Sequence, residues 1–336
     1  MKTRQLGLTG PCVSTIGLGC MGMSDLYGPA DEGESVSTID AALDAGVTLL
    51  DTGDFYGMGH NELLLRDALR GRKRDQVVLS VKFGALRDPA GGWIGVDGRP
   101  ASVKNFLAYT LRRLGTEYVD IYRPARLDAS VPIEDTVGAI ADMVKAGYVR
   151  HVGLSEAGTE TLRRAQAVHP IADLQIEYSL FSRGIEAEVL PMCRQLGIAV
   201  TAYGVLSRGL LSGHWRKEVG VRDFRGVLPR FRGENLDRNL ALVEALRAVA
   251  KARGATVAQL AIGWVLSRGS DIVALVGARR PDRLAEALVA SELALTANDL
   301  AEVERAVPIH GAAGERYHAQ GMAGLDSERH AESAGA

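Results

Sequence analysis

Three ionisable side chains, Asp51, Tyr56 and Lys82, end or follow apolar runs of the sequence and could together move a proton. A lysine that ends an apolar strand needs a partner when it is buried, and Asp51 is the natural one for Lys82. Tyr56 follows Asp51 by five residues, and an ammonium near a phenol favours the phenolate and lowers its pKa. Such a phenol suits general acid catalysis near neutral pH. From spacing alone, a structural ion pair beside an uninvolved tyrosine is an equally good interpretation.

The elements that would position these side chains are eight short runs rich in β-branched residues, separated by longer stretches. The runs are Ile16–Gly19, Val47–Asp51, Val77–Lys82, Val119–Tyr122, Val149–Ser155, Leu174–Tyr178, Ile198–Tyr203 and Ile272–Val276. Between them, apolar residues recur at spacings of three and four, which is typical of amphipathic helices. Strands that alternate with helices form parallel sheets, and eight such units without a composition break favour one closed barrel. The sequence therefore predicts an α/β fold of the (β/α)8 TIM-barrel type.

A short β-hairpin is predicted ahead of the barrel, from Gln5–Leu8 and Pro11–Ser14 with a turn at Thr9-Gly10. We expect one barrel domain over residues 1–308 and a Gly/Ala-rich tail over 309–336. This tail is expected to be partly disordered or to line the substrate pocket. Several predicted helices end at a glycine, where a left-handed cap is expected: Gly46, Gly115, Gly147 and Gly197.

An open dinucleotide-binding sheet is the alternative fold, because Gly17-Leu18-Gly19-Cys20-Met21-Gly22 matches the pattern G-x-G-x-x-G. The context does not fit, since no helix begins at Gly22 and no acidic residue ends a second strand at the required distance. We instead expect these glycines to let a loop at the barrel mouth approach a ligand closely.

The composition indicates a folded protein without membrane or nucleic-acid partners. The chain has 336 residues, 46% of them hydrophobic, and a net charge of −2. No apolar run approaches the ~18 residues of a membrane span, and no secretory signal is evident. The balanced charge argues against a general nucleic-acid binder. Cys12, Cys20 and Cys193 show no metal-ligand spacing, so we expect reduced thiols, no metal site and a cytoplasmic location.

Motifs at the predicted strand ends, where a TIM barrel has its active site, resemble those of the aldo-keto reductase family. They are Leu50-Asp51-Thr52-Gly53-Asp54-Phe55-Tyr56-Gly57, Leu79-Ser80-Val81-Lys82-Phe83-Gly84, Val152-Gly153-Leu154-Ser155-Glu156 and Gln175-Ile176-Glu177-Tyr178-Ser179-Leu180-Phe181-Ser182-Arg183. Blocks at Asp223-Phe224-Arg225 and Leu228-Pro229-Arg230-Phe231 are similar to those of the bacterial and plant branch. The resemblance implies an NADPH-dependent carbonyl reductase in which Tyr56 protonates the substrate oxygen, assisted by Lys82 and oriented by Asp51.

The resemblance also implies which residues hold the cofactor. Ser155 and Gln175 would hydrogen-bond the carboxamide, and Tyr203 would stack on the nicotinamide ring. The remaining contacts expected from loops at the barrel mouth and from the start of the last barrel helix are Gly22, Gly204, Leu206, Arg208, Gly277, Arg279, Arg280, Arg283 and Glu286. Arginines around a helix N-terminus favour a dianion such as the 2′-phosphate of NADPH, although a solvated charge cluster is the alternative.

One block departs from the family pattern. The sequence Tyr122-Arg123-Pro124-Ala125-Arg126-Leu127-Asp128 places Ala125 where the family usually has a histidine that holds the carbonyl oxygen. One such donor typically contributes about 2.7–4 kcal/mol, or ~10²–10³ in rate. A trapped water or Arg126 could take its place. We expect Trp93, Ala125 and Arg126 to line the substrate pocket.

Other functions remain open at this point. An NADPH-binding regulatory protein with slow turnover, an NADP-dependent alcohol dehydrogenase and a Schiff-base aldolase using Lys82 are the alternatives, and the aldolase would require Lys82 to be free of Asp51. A basic segment over 208–239 is expected to close over NADPH, with arginines Arg222, Arg225, Arg230, Arg232 and Arg238.

Overall fold

The computed structural model describes residues 1–24, 26–215 and 223–329, and Arg222 of the predicted basic segment lies outside them. The strands are β1 (Thr3–Gln5), β2 (Cys12–Ser14), β3 (Ile16–Gly19), β4 (Leu49–Gly53), β5 (Val78–Phe83), β6 (Ala85–Arg87), β7 (Trp93–Val96), β8 (Val119–Pro124), β9 (Val149–Ser155), β10 (Ile171–Glu177), β11 (Ala199–Tyr203) and β12 (Ile272–Gly277). The helices are α1 (Glu32–Asp44), α2 (His60–Ala68), α3 (Pro100–Leu114), α4 (Ile133–Lys145), α5 (Thr159–Val168), α6 (Val189–Leu196), α7 (Gly233–Ala252), α8 (Val257–Ser267), α9 (Pro281–Leu288), α10 (Ala297–Ala306) and α11 (Ala319–Ala323).

Within these described residues, eight parallel strands close into a barrel in the order β3-β4-β5-β8-β9-β10-β11-β12, and β12 pairs back with β3. Helices follow the strands along the chain and cover the barrel, so strands such as β10 are buried along their whole length. The predicted (β/α)8 TIM barrel is confirmed, as is the antiparallel N-terminal hairpin, which β1 and β2 form.

The N-terminal hairpin closes the amino end of the barrel. Leu6 and Val13 are fully buried and pack in one apolar cluster with Leu49, Ile121 and Val273 from the barrel strands. This plug removes water from the lower half of the barrel interior. The carboxyl ends of the strands are therefore the end at which a ligand can enter.

Both hairpin strands are shorter than predicted, and the first also lies earlier. The strand expected at Gln5–Leu8 is Thr3–Gln5, because the chain already turns at Leu6, whose carbonyl oxygen accepts a hydrogen bond from the Gly10 amide (3.0 Å). Gly7 has φ +62°, a left-handed conformation that ends the strand. The barrel strands are found at the predicted positions, with ends that differ by up to three residues.

A second hairpin was not predicted. Strands β6 and β7 pair antiparallel directly after β5 and form a flap beside the barrel mouth. The predicted helix-terminal glycines Gly46, Gly115, Gly147 and Gly197 all have positive φ, between 65° and 86°, which confirms their left-handed conformation. Among the helices of the described residues, none has the length and hydropathy needed to cross a membrane.

Candidate active site

Asp51 and Lys82 form a buried ion pair at the carboxyl ends of β4 and β5. The side chains of Asp51 and Lys82 are 3% and 8% exposed, and the Lys82 ammonium donates to Asp51 Oδ1. Asp51 Oδ2 also accepts from the Ser80 hydroxyl (2.8 Å) and from Gln175 Nε2 (2.7 Å). With three donors on one carboxylate, the pair is held in a single arrangement. Lys82 is paired with Asp51, contrary to what a Schiff-base aldolase would require.

Tyr56 lies directly against this pair. Its ring centroid is 5.4 Å from Lys82 Nζ, and the side chain is buried. The register of β4 and β5 places Gly53 opposite Lys82, and a Cβ at position 53 would lie only 3.4 Å from the Tyr56 ring. The absence of a side chain at Gly53 therefore makes room for the phenol beside the ammonium.

The electrostatics of Tyr56 differ from the prediction. Burial raises its pKa well above the usual value, and the Asp51 carboxylate raises it further, against a lowering effect of Arg126. The expectation that the pKa is lowered towards neutrality is wrong, because the desolvation of the ring outweighs the nearby cations. The phenol is consequently protonated at neutral pH, which is the form that a proton donor needs. For Lys82, burial lowers the pKa, and the Asp51 carboxylate offsets only part of that effect.

A second buried ion pair lies in the barrel interior beneath the first. Arg123 and Asp173 are fully buried, with 3.0 Å between Arg123 Nη2 and Asp173 Oδ2. The same nitrogen donates to the Ser80 hydroxyl (3.0 Å), which in turn donates to Asp51. Side chains of a strand alternate between its two faces, so Arg123 lies on the same face of β8 as the buried Ile121. This spacing signals the inward position of Arg123. The prediction did not use that signal.

The predicted carboxamide contacts are brought together at the ends of β9, β10 and β11. The Ser155 hydroxyl is buried and has no hydrogen-bond partner among the described residues. Gln175 on β10 lies opposite Ser155 on β9, and its Nε2 donates a hydrogen bond to Asp51. The Tyr203 hydroxyl donates to Glu156 (2.7 Å), which fixes the position of its ring. Gly204, with φ +67°, turns the chain away from β11.

Sequence reasoning did not find a cluster of buried charges around Glu156 and Glu177. Both terminal nitrogens of the Arg316 guanidinium donate to Glu156 (2.8 and 2.7 Å), and Arg208 donates to Glu177 (3.0 Å). Burial raises the pKa of Glu156, but Arg316, Arg126 and the Ser327 hydroxyl together lower it more, to about 2. Arg208, which was expected to contact the cofactor, thus points into the protein in this structure. No local pattern signals these pairs, since 160 residues separate Arg316 from Glu156.

The described part of the C-terminal tail lies over this cluster. The Tyr317 hydroxyl is 3.2 Å from the Tyr203 hydroxyl and accepts from Arg126 Nη2 (3.2 Å). Further along, Ser327 donates to Glu156 (2.6 Å). Residues 309–329 of the predicted tail 309–336 therefore include side chains at the barrel mouth, and residues 330–336 lie outside the described ranges.

The predicted phosphate residues lie around the start of α9, where Pro281 begins the helix. Arg279 donates to the carbonyl oxygens of Tyr27 (3.2 Å) and Pro29 (3.0 Å). Arg283 donates to Glu286 (3.3 Å), which also accepts from His214 (2.9 Å). The other predicted residues of this region are Gly22, whose added Cβ would come within 3.7 Å of Arg279, and Gly277, at the end of β12. Leu206 precedes the short helix Ser207–Ser212, and Arg280 pairs with Asp282.

The predicted substrate-pocket residues lie next to Tyr56. Ala125 is buried and packs with Phe55 and Tyr56 in one small cluster. Trp93, on β7 of the flap, is 48% exposed, and its ring centroid lies 5.6 Å from that of Phe55. Arg126 Nη1 donates to the Ala125 carbonyl oxygen (2.6 Å). A wall of aromatic and cationic groups thus surrounds the space beside the phenol.

The closed parallel barrel with polar groups at its carboxyl end places this protein among the (β/α)8 barrels. Within that class, the chain belongs to the aldo/keto reductase family, whose sequence profile matches residues 15–308. It is 41% identical over 316 residues to a protein of Glycine max named probable aldo-keto reductase 1, which covers 94% of this chain and 91% of that protein. The family acts on small-molecule carbonyl compounds, and the protein is an oxidoreductase.

Solved structures of the same family are similar over nearly the whole chain. A glycerol dehydrogenase from Gluconobacter oxydans superposes with a TM-score of 0.81 at 29% identity, covering 92% of this chain and 95% of that one. An aldo-keto reductase from Bacillus halodurans, in its holo form, superposes with a TM-score of 0.77 at 28% identity, covering 94% and 98%.

Proposed function

We propose that this protein reduces an aldehyde or ketone to the alcohol with NADPH, and that Tyr56 donates the proton. The observation that carries the proposal is the protonated phenol of Tyr56 packed against the buried Lys82–Asp51 pair. A general acid must hold its proton in the resting state and must be stabilised after losing it. Burial provides the first condition, and the Lys82 ammonium provides the second.

Asp51, Lys82 and Tyr56 have different roles in the proposed reaction. Asp51, held by Ser80 and Gln175, fixes the Lys82 ammonium beside the Tyr56 ring. As the proton leaves the phenol for the carbonyl oxygen, the fixed ammonium stabilises the phenolate without reorganisation. NADPH, when bound, supplies the hydride to the carbonyl carbon. Closure of the barrel floor by the hairpin keeps bulk water from the lower side of the site.

The residues present fit a nicotinamide cofactor. The buried Ser155 hydroxyl lacks a partner, and a buried hydroxyl of this kind is costly unless something hydrogen-bonds to it. A carboxamide would provide that partner, and Gln175 Oε1 would accept from the carboxamide nitrogen. The Tyr203 ring, fixed through Glu156, would offer a flat face to the nicotinamide.

We propose NADPH, rather than NADH, because of the cations near the start of α9. Arg279, Arg280 and Arg283 lie there together, and the helix N-terminus adds favourable backbone donors for an anion. Arg280 and Arg283 now pair with the acidic side chains of Asp282 and Glu286. A 2′-phosphate would compete with these carboxylates for exposed guanidinium groups, which is a low-cost exchange. We further propose that Tyr317 of the tail lines the substrate pocket together with Trp93.

A regulatory protein that binds NADPH and turns over slowly is the second candidate. The small side chain of Ala125 beside Tyr56 favours it, because an alanine cannot hold the carbonyl oxygen. Oxidation of an alcohol by the same site is the third, and it would require the Tyr56 phenolate, which burial disfavours.

The test is NADPH consumption with a series of aromatic and aliphatic aldehydes, with identification of the alcohol formed. We expect turnover in the wild type and a loss of at least ~10² in kcat for Lys82→Met, since the phenolate then lacks its stabilising cation. Lys104→Met, at an exposed lysine of α3, is the control and should leave kcat unchanged. NADPH binding without turnover on any aldehyde would favour the regulatory function instead.

A further inference from the structure

Arg126 occupies a defined place between the two groups that must flank a reacting carbonyl. One side of its guanidinium is tied to the Ala125 backbone, and Ala125 packs against the Tyr56 ring. The other side donates to the Tyr317 hydroxyl, which is 3.2 Å from the Tyr203 hydroxyl. The guanidinium thus lies between the proton donor Tyr56 and the proposed nicotinamide-binding residue Tyr203. A substrate oxygen must lie in the space between these two groups.

The charge of Arg126 is not matched by a carboxylate. No acidic group of the described residues lies within ion-pair distance of its nitrogens. Burial lowers the pKa of Arg126, but the nearby Tyr317, Tyr203 and Glu156 together raise it more, so the guanidinium stays charged. Glu156 is already paired with Arg316, and the other buried carboxylate of the cluster, Glu177, is paired with Arg208. A guanidinium without a direct counter-ion can interact favourably with negative charge that develops beside it.

Both hydrogen bonds that Arg126 makes in the structure leave donors unused. A guanidinium has five N–H donors, and the two bonds above engage one each. A carbonyl oxygen placed to receive the Tyr56 proton would find further N–H groups within the same wall. The nearest side chain on that wall, Ala125, has no donor of its own.

We propose that Arg126 is a catalytic residue that hydrogen-bonds the substrate's carbonyl oxygen, and that Tyr317 positions it from the tail. This inference rests on the proposed carbonyl reduction. The electron pair of the carbonyl π bond moves to oxygen as carbon receives the hydride. Oxygen then takes its proton from Tyr56, while Arg126 keeps its own and only stabilises the developing charge.

The charge balance around Tyr317 is consistent with this arrangement. Burial raises the pKa of Tyr317, but Arg208 and Arg126 together lower it by a larger amount, so the pKa is lowered overall. The two guanidinium groups therefore stabilise negative charge on the Tyr317 oxygen, which is the atom that accepts the Arg126 N–H. Its role is to hold the guanidinium, so Tyr317→Phe should lower kcat less than the loss of Arg126 does.

The experiment measures kcat and NADPH affinity for Arg126→Met, Tyr317→Phe and the double variant Ala125→His with Arg126→Met. We expect Arg126→Met to lose ~10²–10³ in kcat, as for one preorganised donor, with NADPH affinity unchanged. An imidazole at position 125 would reach the same space beside Tyr56. The kcat of the double variant should therefore be at least tenfold higher than that of Arg126→Met. Arg150→Met, at an exposed arginine near the start of β9, is the matched control and should behave as wild type.

Chemical rescue provides a second measurement that does not depend on how the imidazole packs. Arg126→Ala leaves a cavity of guanidinium size, and millimolar guanidinium chloride should raise its kcat at least tenfold, whereas equal sodium chloride should not. Recovery by either route supports the inference. It is overturned if Arg126→Met keeps more than a third of wild-type kcat, or if neither imidazole nor guanidinium restores the loss. A wild type without turnover on any carbonyl compound would overturn the proposed function as well.

Discussion

Asp54, two residues before the proposed proton donor, should make the stability of the fold depend on pH. Its side chain is buried, and burial together with the neighbouring Glu62 raises its pKa from 3.8 to about 8. In the unfolded chain the same carboxyl ionises near pH 4. Between these two values the folded protein binds one more proton than the unfolded chain. Stability therefore falls as pH rises from about 4 to about 8.

The magnitude follows from proton linkage. One proton contributes a slope of about 1.4 kcal/mol per pH unit, so Asp54 costs up to about 2.7 kcal/mol of unfolding free energy between pH 5 and pH 7. Asn has nearly the same shape and cannot ionise. We therefore expect Asp54→Asn to gain stability over the wild type by about 2–3 kcal/mol more at pH 7 than at pH 5.

Urea unfolding followed by tryptophan fluorescence at the two pH values measures this difference. Asp67→Asn is the control, because that carboxyl lies on α2 with its side chain 50% exposed. The control should differ from the wild type by the same amount at both pH values. Parallel pH dependence of the wild type and Asp54→Asn would refute the reasoning.

Three further outcomes are expected. NADPH should bind at least tenfold more tightly than NADH in fluorescence titrations, a difference of about 1.4 kcal/mol in binding free energy. Arg283→Ala should weaken the binding of NADPH more than that of NADH. Equal affinities of the wild type for the two cofactors would contradict the phosphate assignment. Gly53→Ala should lower kcat more than tenfold while NADPH affinity stays the same, because the new Cβ would lie 3.2 Å from Phe55 and 3.4 Å from Tyr56; unchanged kcat would show that the ring tolerates displacement. Since the pKa of Tyr56 is raised by burial, reduction should be independent of pH between about 6 and 9, whereas alcohol oxidation should rise with pH; a fall of the reduction rate in that range would indicate another donor.

The barrel could be predicted because its strands are buried on both faces and read as continuous apolar runs. Asp51 and Lys82 were found for the same reason, since a charged residue at the end of such a run needs a partner. The flap formed by β6 and β7 has no comparable signal. Its strands have three and four residues, and β7 is mostly exposed.

Other parts of the site depend on contacts between distant residues. The tail reaches the barrel mouth through Arg316 and Tyr317, whose partners lie in the middle of the chain. The pKa of Tyr56 was predicted in the wrong direction because spacing shows the nearby ammonium but not the burial of the ring. The orientation of Arg208 towards Glu177 likewise depends on packing, which no local motif encodes.

The most direct test of the account is the reduction rate of Tyr56→Phe under saturating NADPH and aldehyde. This change removes the proton and keeps the ring that packs on Lys82 and Ala125. We predict that kcat falls by at least ~10² while NADPH affinity is retained. Tyr109→Phe, at an exposed tyrosine of α3, is the matched control and should have wild-type kcat. If Tyr56→Phe keeps more than about a tenth of kcat, another group is the acid and the proposed chemistry is contradicted.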